Sequence, residues 1–186
     1  MKRALLALII AGGVFAMSGC GSGDIADASQ GDGTSKNHDG NGGDQEGSRD
    51  KPYAPSDVVH LENWDVSLAK TDTDATKDLE SDGFNEIKAG SVAIQVRVSV
   101  TYTGKKSDDP GMDVVLEFVS SKGNTFDDSS GDGCLPEKSL QDIGNMYPKA
   151  KGEGDECVQM PKDAVKGGVW KISSLLGDKT AFVAMA

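Results

Sequence analysis

Between Gly90 and Gly104 large apolar residues alternate with small or polar ones. Val92, Ile94, Val96, Val98, Val100 and Tyr102 fall on one side, and Ala93, Gln95, Arg97, Ser99, Thr101 and Thr103 on the other. A period of two rich in β-branched residues predicts a long strand with one buried and one wet face. Such alternation belongs to antiparallel sheets, because strands buried in parallel sheets are apolar on both faces. Shorter segments repeat it. Trp64, Val66 and Leu68 alternate with Asp65 and Ser67, and Val114, Leu116 and Phe118 with Val115 and Glu117. Cys157 to Met160 reads as a short apolar strand stopped by Pro161, and Val169–Leu175 and Thr180–Met185 as closing strands around Gly177-Asp178. Turn signals lie between them, at Gly104-Lys105-Lys106, Ser121-Lys122-Gly123-Asn124 and Lys166-Gly167-Gly168. No long helical period follows; Asp78–Ile87 and Lys138–Met146 each suit a short helical turn. The predicted class is all-β: an immunoglobulin-like antiparallel β-sandwich. Trp64 and Trp170 occupy alternating strand positions and are expected in its core. Neither edge strand carries an obvious guard, which leaves pairing with a second copy open.

The pattern changes at the N-terminus. Lys2 and Arg3 precede an apolar run from Ala4 to Met17, followed by Ser18-Gly19-Cys20. At about fourteen residues the run is short for a bilayer span and has the layout of a secretory signal. Met17-Ser18-Gly19-Cys20 resembles the lipobox of bacterial lipoproteins, with Met17 where that family usually has Leu. The resemblance implies cleavage before Cys20, lipidation of its thiol with palmitate among the acyl chains, and a cell-membrane anchor facing the extracytoplasmic side. Gly21 is not the Asp that resembles an inner-membrane retention signal. Residues 1–19 are thus expected as a signal helix and residues 20–55 as a flexible tether; residues 56–186 would form the domain. From Gly21 to about Asp50 only Ile25 is large and apolar. Such a stretch cannot offset its ordering entropy by burial. Its mean reach is on the order of 30–35 Å. His38 sits in this stretch and is expected to be solvated.

Charge narrows the partners. The net charge is −11, becoming about −13 when the cations Lys2 and Arg3 are removed. A chain this acidic repels nucleic acid and anionic headgroups. Three cysteines are present, and lipidation of Cys20 leaves Cys134 and Cys157. An even pair in an oxidising compartment predicts a disulfide. It would close an irregular loop of about twenty-three residues and contribute about 3 kcal/mol.

Candidate chemistry is sparse. No nucleophile elbow, zinc-helix motif or phosphate loop occurs, so no catalytic residue is assigned. Asp128, Ser130 and Asp132, followed by Gly133, copy the opening of an EF-hand calcium loop. The twelfth position is Ser139 instead of the bidentate Glu, although Glu137 lies close by, and flanking helices are lacking. Met112, Met146 and Met160 with His60 offer no ligand spacing for copper. Met146 and Tyr147 lie on the bridged loop away from any strand pattern and are candidate contact residues, since loops on a rigid sandwich carry binding.

The order of strands carries a resemblance over about residues 56–186. A Trp-containing strand precedes a long alternating strand ending in Thr103-Gly104-Lys105. Ser121-Lys122-Gly123-Asn124-Thr125-Phe126 forms a glycine–aromatic turn, and a late strand ends in Met160-Pro161-Lys162-Asp163-Ala164. This resembles the immunoglobulin-like domain of secreted bacterial lipoproteins known as domain of unknown function family 4352; Thr103 stands where its members usually have Asn. The resemblance implies a tethered extracellular sandwich and brings no catalytic residues. The reading at this level is a non-enzymatic binding module working through loops such as 127–156, for an unidentified protein or small ligand at the cell surface. Two alternatives stand beside it. One is a calcium-stabilised domain using Asp128, Ser130 and Asp132. The other is a cell-envelope hydrolase in which His60 meets a Ser and a carboxylate.

Overall fold

The computed structural model describes residues 45–81, 83–128 and 132–185, together with the backbone of Asp27–Ser29. Cys20, the signal run, His38 and Ser130 lie outside the described residues. Nine strands are described: β1 Asp27–Ser29, β2 Val58–His60, β3 Trp64–Leu68, β4 Ser91–Tyr102, β5 Val114–Val119, β6 Thr125–Phe126, β7 Lys151–Pro161, β8 Val169–Ser174 and β9 Thr180–Ala184. They form two sheets, ordered β1-β2-β3-β4-β7 and β6-β5-β8-β9, and every neighbouring pair is antiparallel. With β3, β4 and β7 facing β6, β5, β8 and β9, the chain follows the immunoglobulin Greek key: strands A, B and E in one layer and C′, C, F and G in the other. Short helical turns fill the connections: α1 Thr76–Glu80, α2 Pro110–Asp113, α3 Lys162–Val165 and a 3-10 turn, Leu140–Asp142. No helix among the described residues is long and apolar enough to cross a membrane.

The core lies where the periodicity of two places it. Val92, Ile94, Val96, Val98, Val100 and Tyr102 are all buried on the inner face of β4. Trp64 and Trp170 are fully buried, one from each sheet. Trp64 packs on Tyr102 with ring centroids 4.7 Å apart, and Phe118 meets Trp170 edge-on at 5.5 Å. Each indole N–H needs a partner once dry. Trp64 Nε1 donates to Asp113 Oδ2 at 2.8 Å, and Ser174 Oγ donates to Asp113 Oδ1 at 2.8 Å. Trp170 Nε1 donates to Thr71 Oγ1 at 2.9 Å. Asp113, just ahead of β5, thus ties a tryptophan of one sheet to a serine of the other.

A second, smaller core sits on the outer face of the long strand. Ala93 and Cys157 are small enough there for α1 to approach, and Ala75 and Leu79 pack over them. Ala93 N–H donates to Thr76 Oγ1 at 3.0 Å, joining α1 to β4. The face read as uniformly wet is therefore dry at this end.

Three expectations are corrected. The last strand of the first sheet is not the short segment Cys157–Met160. β7 begins at Lys151 and pairs with β4 from Thr101↔Lys151 to Ser91↔Pro161. Its first half is masked in sequence by Gly152 and Gly154, which the packing requires. A Cβ at Gly154 would stand 2.5 Å from Leu140 N, and one at Gly152 2.9 Å from Ile143 Cδ1. Residues 151–156 of the supposed irregular loop are thus strand and do not belong to a binding loop.

The ordered domain also begins before residue 56. Tyr53 is buried; its N–H donates to Phe182 O at 2.9 Å and its carbonyl accepts from Ala184 N–H at 2.9 Å. Phe182 N–H donates to Gly47 O at 2.8 Å, and Arg49 Nη2 to Ser120 O at 2.9 Å. Backbone pairing also joins Asp27–Ser29 to Val58–His60. Polar composition concealed this, because the segment is held by backbone hydrogen bonds and one tyrosine instead of an apolar run.

Those contacts overturn the unguarded edges. Gly47 and Tyr53 occupy the free side of β9. On β7, Val158 bridges to Gly133 and Asp155 to Ser139, with Asp155 N–H donating to Lys138 O. The chain thus covers β9 and β7, and the other two edges described, β1 and β6, are only three and two residues long; covered and short edges both resist edge pairing.

Candidate functional site

Cys134 and Cys157 form a disulfide with Cα atoms 5.6 Å apart. The bridge pins segment 133–142 to the edge of β7. Asn85 supplies a second clamp: its Nδ2 donates to Leu79 O at 3.0 Å and Leu135 O at 2.9 Å, and its Oδ1 accepts from Leu135 N–H at 2.7 Å. One side-chain amide thus imitates a strand partner and locks the loop after α1 to the loop after Cys134. Lys88 closes the far end, its N–H on Gln159 Oε1 at 2.9 Å and its Nζ on Asp132 Oδ1 at 2.9 Å. Across from it, Ser139 and Asp142 form a capping box on the 3-10 turn.

Between these two loops lies a cleft of about 520 Å³. Phe84 and Leu135 stand on its rim, 81% and 66% exposed. The bridge, Gln159 and Glu156 lie deeper, and Asp128, Asp142 and Glu86 contribute carboxyl groups to its lining. No Lys, Arg or His is among the described residues that line it.

Glu156 is the unusual member. Side chains alternate along a strand, so Glu156 shares the inward register of Val158 and Met160, both in the core. Burial pushes its carboxyl up to about 7, and the nearby charges of Asp128 and Asp155 add to that; a hydrogen bond from the Leu140 backbone works the other way. Behind it a smaller cavity of about 100 Å³ reaches Trp170 and Leu116 and shares Asp128, Gln141, Glu156 and Cys157 with the cleft. Glu156 therefore sits where the outer cleft meets the seam between the sheets.

The sequence candidates distribute unevenly. Cys134 and Cys157 meet as expected. Met146 is corrected: it is 4% exposed, packs in the main core and pairs through its backbone with Asp108. An unbranched apolar side chain outside any strand pattern still fills a gap, here beside the bare Gly152. Tyr147 is 70% exposed but lies outside the cleft lining. Of the calcium candidates, Asp128 lines the cleft while Asp132 pairs with Lys88. No three His, Cys, Asp or Glu side chains converge to hold a metal among the described residues. His60 Nδ1 meets Asp65 Oδ1 at 2.6 Å on β2 and β3, three strands from β7 at most. Met112 is exposed, whereas Met146 and Met160 are buried. Phe84, Asn85, Leu135 and Glu156 escaped the sequence reading. The one signal for Glu156 was its place two and four residues before Val158 and Met160.

No protein-family model matches the chain, and no curated protein matches it. Two solved structures are similar. A conserved hypothetical protein from Bacillus anthracis shares 14% identity over 66% of this chain and 89% of its own, with a TM-score of 0.43. An uncharacterized beta-sandwich protein from Clostridium difficile 630 shares 11% identity over 81% of this chain and 100% of its own, with a TM-score of 0.49. Neither bears on the cleft.

Proposed function

We propose that the chain is an extracytoplasmic lipoprotein anchored through Cys20, whose immunoglobulin-like domain is a non-enzymatic binding module with the cleft beside the Cys134–Cys157 bridge as its ligand site. The observation that carries the reading is the cleft's construction. A disulfide and the Asn85 clamp fix the two loops against each other and against β7, and leave Phe84 and Leu135 exposed beside the recess. Apolar side chains held in the open beside a recess with polar groups are the usual form of a ligand site. The Met17-Ser18-Gly19-Cys20 sequence supports the anchor, and a disulfide fits an oxidising compartment. The resemblance to family 4352 agrees with a tethered setting.

Two measurements test it. In detergent-phase partitioning of cells, the parent chain is expected with the membrane lipoproteins and Cys20→Ser in the aqueous phase; equal partitioning would remove the anchor. For the module, the oxidised chain is offered to envelope extract and medium beside Leu135→Ala and Tyr147→Ala. Binding lost with Leu135→Ala and kept with Tyr147→Ala places the site in the cleft; the reverse pattern moves it to the Tyr147 loop.

A further inference from the structure

We infer that this cleft, on the reading just given, takes a small organic cation: an ammonium or guanidinium group on an apolar body, seated between Phe84 and Leu135 with its charge toward Glu156 and Asp128. Size comes first. A volume of about 520 Å³ falls within the range of small-ligand sites. The surrounding backbone excludes a second mode: a peptide cannot add as a strand at β7, because segment 133–139 already occupies that edge.

Charge selects the occupant. Glu86, Asp128, Asp142 and Glu156 line the recess without a lining cation to neutralise them. They belong to four separate stretches of chain, and no three converge on a point among the described residues. A compact metal ion needs convergent oxygens, whereas carboxyl groups spread over a recess with apolar rims suit an extended molecule with one charged end. Phe84 adds an aromatic face, which attracts cations as well as apolar surface.

Glu156 makes the binding depend on pH. Asp128 faces it from the chain after β6, Leu140 donates to it from the 3-10 turn, and Asp155 adjoins it on β7. Asp155 is held by Arg97 on the outer face, and Asp142 accepts from Ser139 N–H. A cation favours the ionised form of Glu156. Affinity therefore rises with pH as that carboxyl loses its proton, through about 7.

The test is an amide-shift titration of the full oxidised chain with phenylbutylamine, phenylbutanol and calcium chloride as probes. The amine is expected to shift Phe84–Ile87, Cys134–Leu135 and Glu156 saturably, binding about tenfold more tightly than the alcohol. Its affinity should fall about tenfold between about pH 8.5 and pH 5.5. Glu156→Gln should abolish that pH dependence with the rest of the spectrum unchanged, and Leu135→Ala, on the exposed rim, should weaken the amine at both pH values. Equal binding of amine and alcohol in the cleft overturns the cationic ligand and leaves the binding site standing. Shifts with calcium and none with the amine also overturn it and make the cleft a metal site. Silence to all three probes overturns the inference and removes the support for the cleft as a ligand site.

Discussion

Glu156 holds its proton into the neutral range because a strand register carries its carboxyl inward, where ionisation is poorly solvated. The folded-state value, about 7, lies above the ordinary 4.5. The folded state therefore binds this proton more tightly than the unfolded chain does. Stability from this group is full below the unfolded value and declines as pH rises through about 7. At pH 8 the loss is on the order of 3 kcal/mol. Glu156→Gln is expected to raise the melting temperature at about pH 8 and change it little near pH 4; thermal melts at both values check this, and parallel shifts would contradict it. Asp113 has the opposite character, a buried carboxyl group with both oxygens satisfied by Trp64 and Ser174. Asp113→Ala strands both donors and should cost about 2–4 kcal/mol in urea unfolding. Neither role could be read from residue type. Asp113 precedes an apolar strand like any turn residue, and Glu156 stands in a glycine- and acid-rich stretch that hides its register.

At the scale of elements, the long strand and its partners differ in what announces them. β4 advertises itself through twelve alternating residues. β7 pairs with it along its length, yet its first half reads Lys-Gly-Glu-Gly-Asp-Glu. Those glycines exist for the 3-10 turn lying against them, and no local pattern records a neighbour that arrives from elsewhere in the chain. The disulfide joins this strand to the same turn-bearing segment. Replacing Cys134 and Cys157 by Ser should cost about 3 kcal/mol by denaturant unfolding. Amide exchange should quicken first at Leu135 and Asp155, whose N–H groups bond across the bridged segment. Uniform quickening across both sheets would show that the bridge serves the whole fold and not the cleft.

For the whole molecule, closure of the sandwich decides whether it stays single. Residues 45–55 cover β9, and segment 133–139 covers β7. A chain starting at residue 56 is expected to lose Tyr53 from the core and to self-associate through β9 more than one starting at residue 45, which keeps β9 covered while both lack β1; light scattering on the two checks it. Alternation alone determined the all-β class, the inner face of β4 and the burial of both tryptophans, because period-two patterning is a local property that any half-buried strand must satisfy. The cysteine count determined the bridge in the same local way. Only the tertiary structure decided the length of β7, the ordered start near Gln45, the burial of Met146 and the meeting of Phe84, Leu135, Asp128 and Glu156 around one recess. These depend on contacts between residues dozens of positions apart, whose placement is set by how two sheets and a bridge close on each other and leaves no periodic mark in the chain.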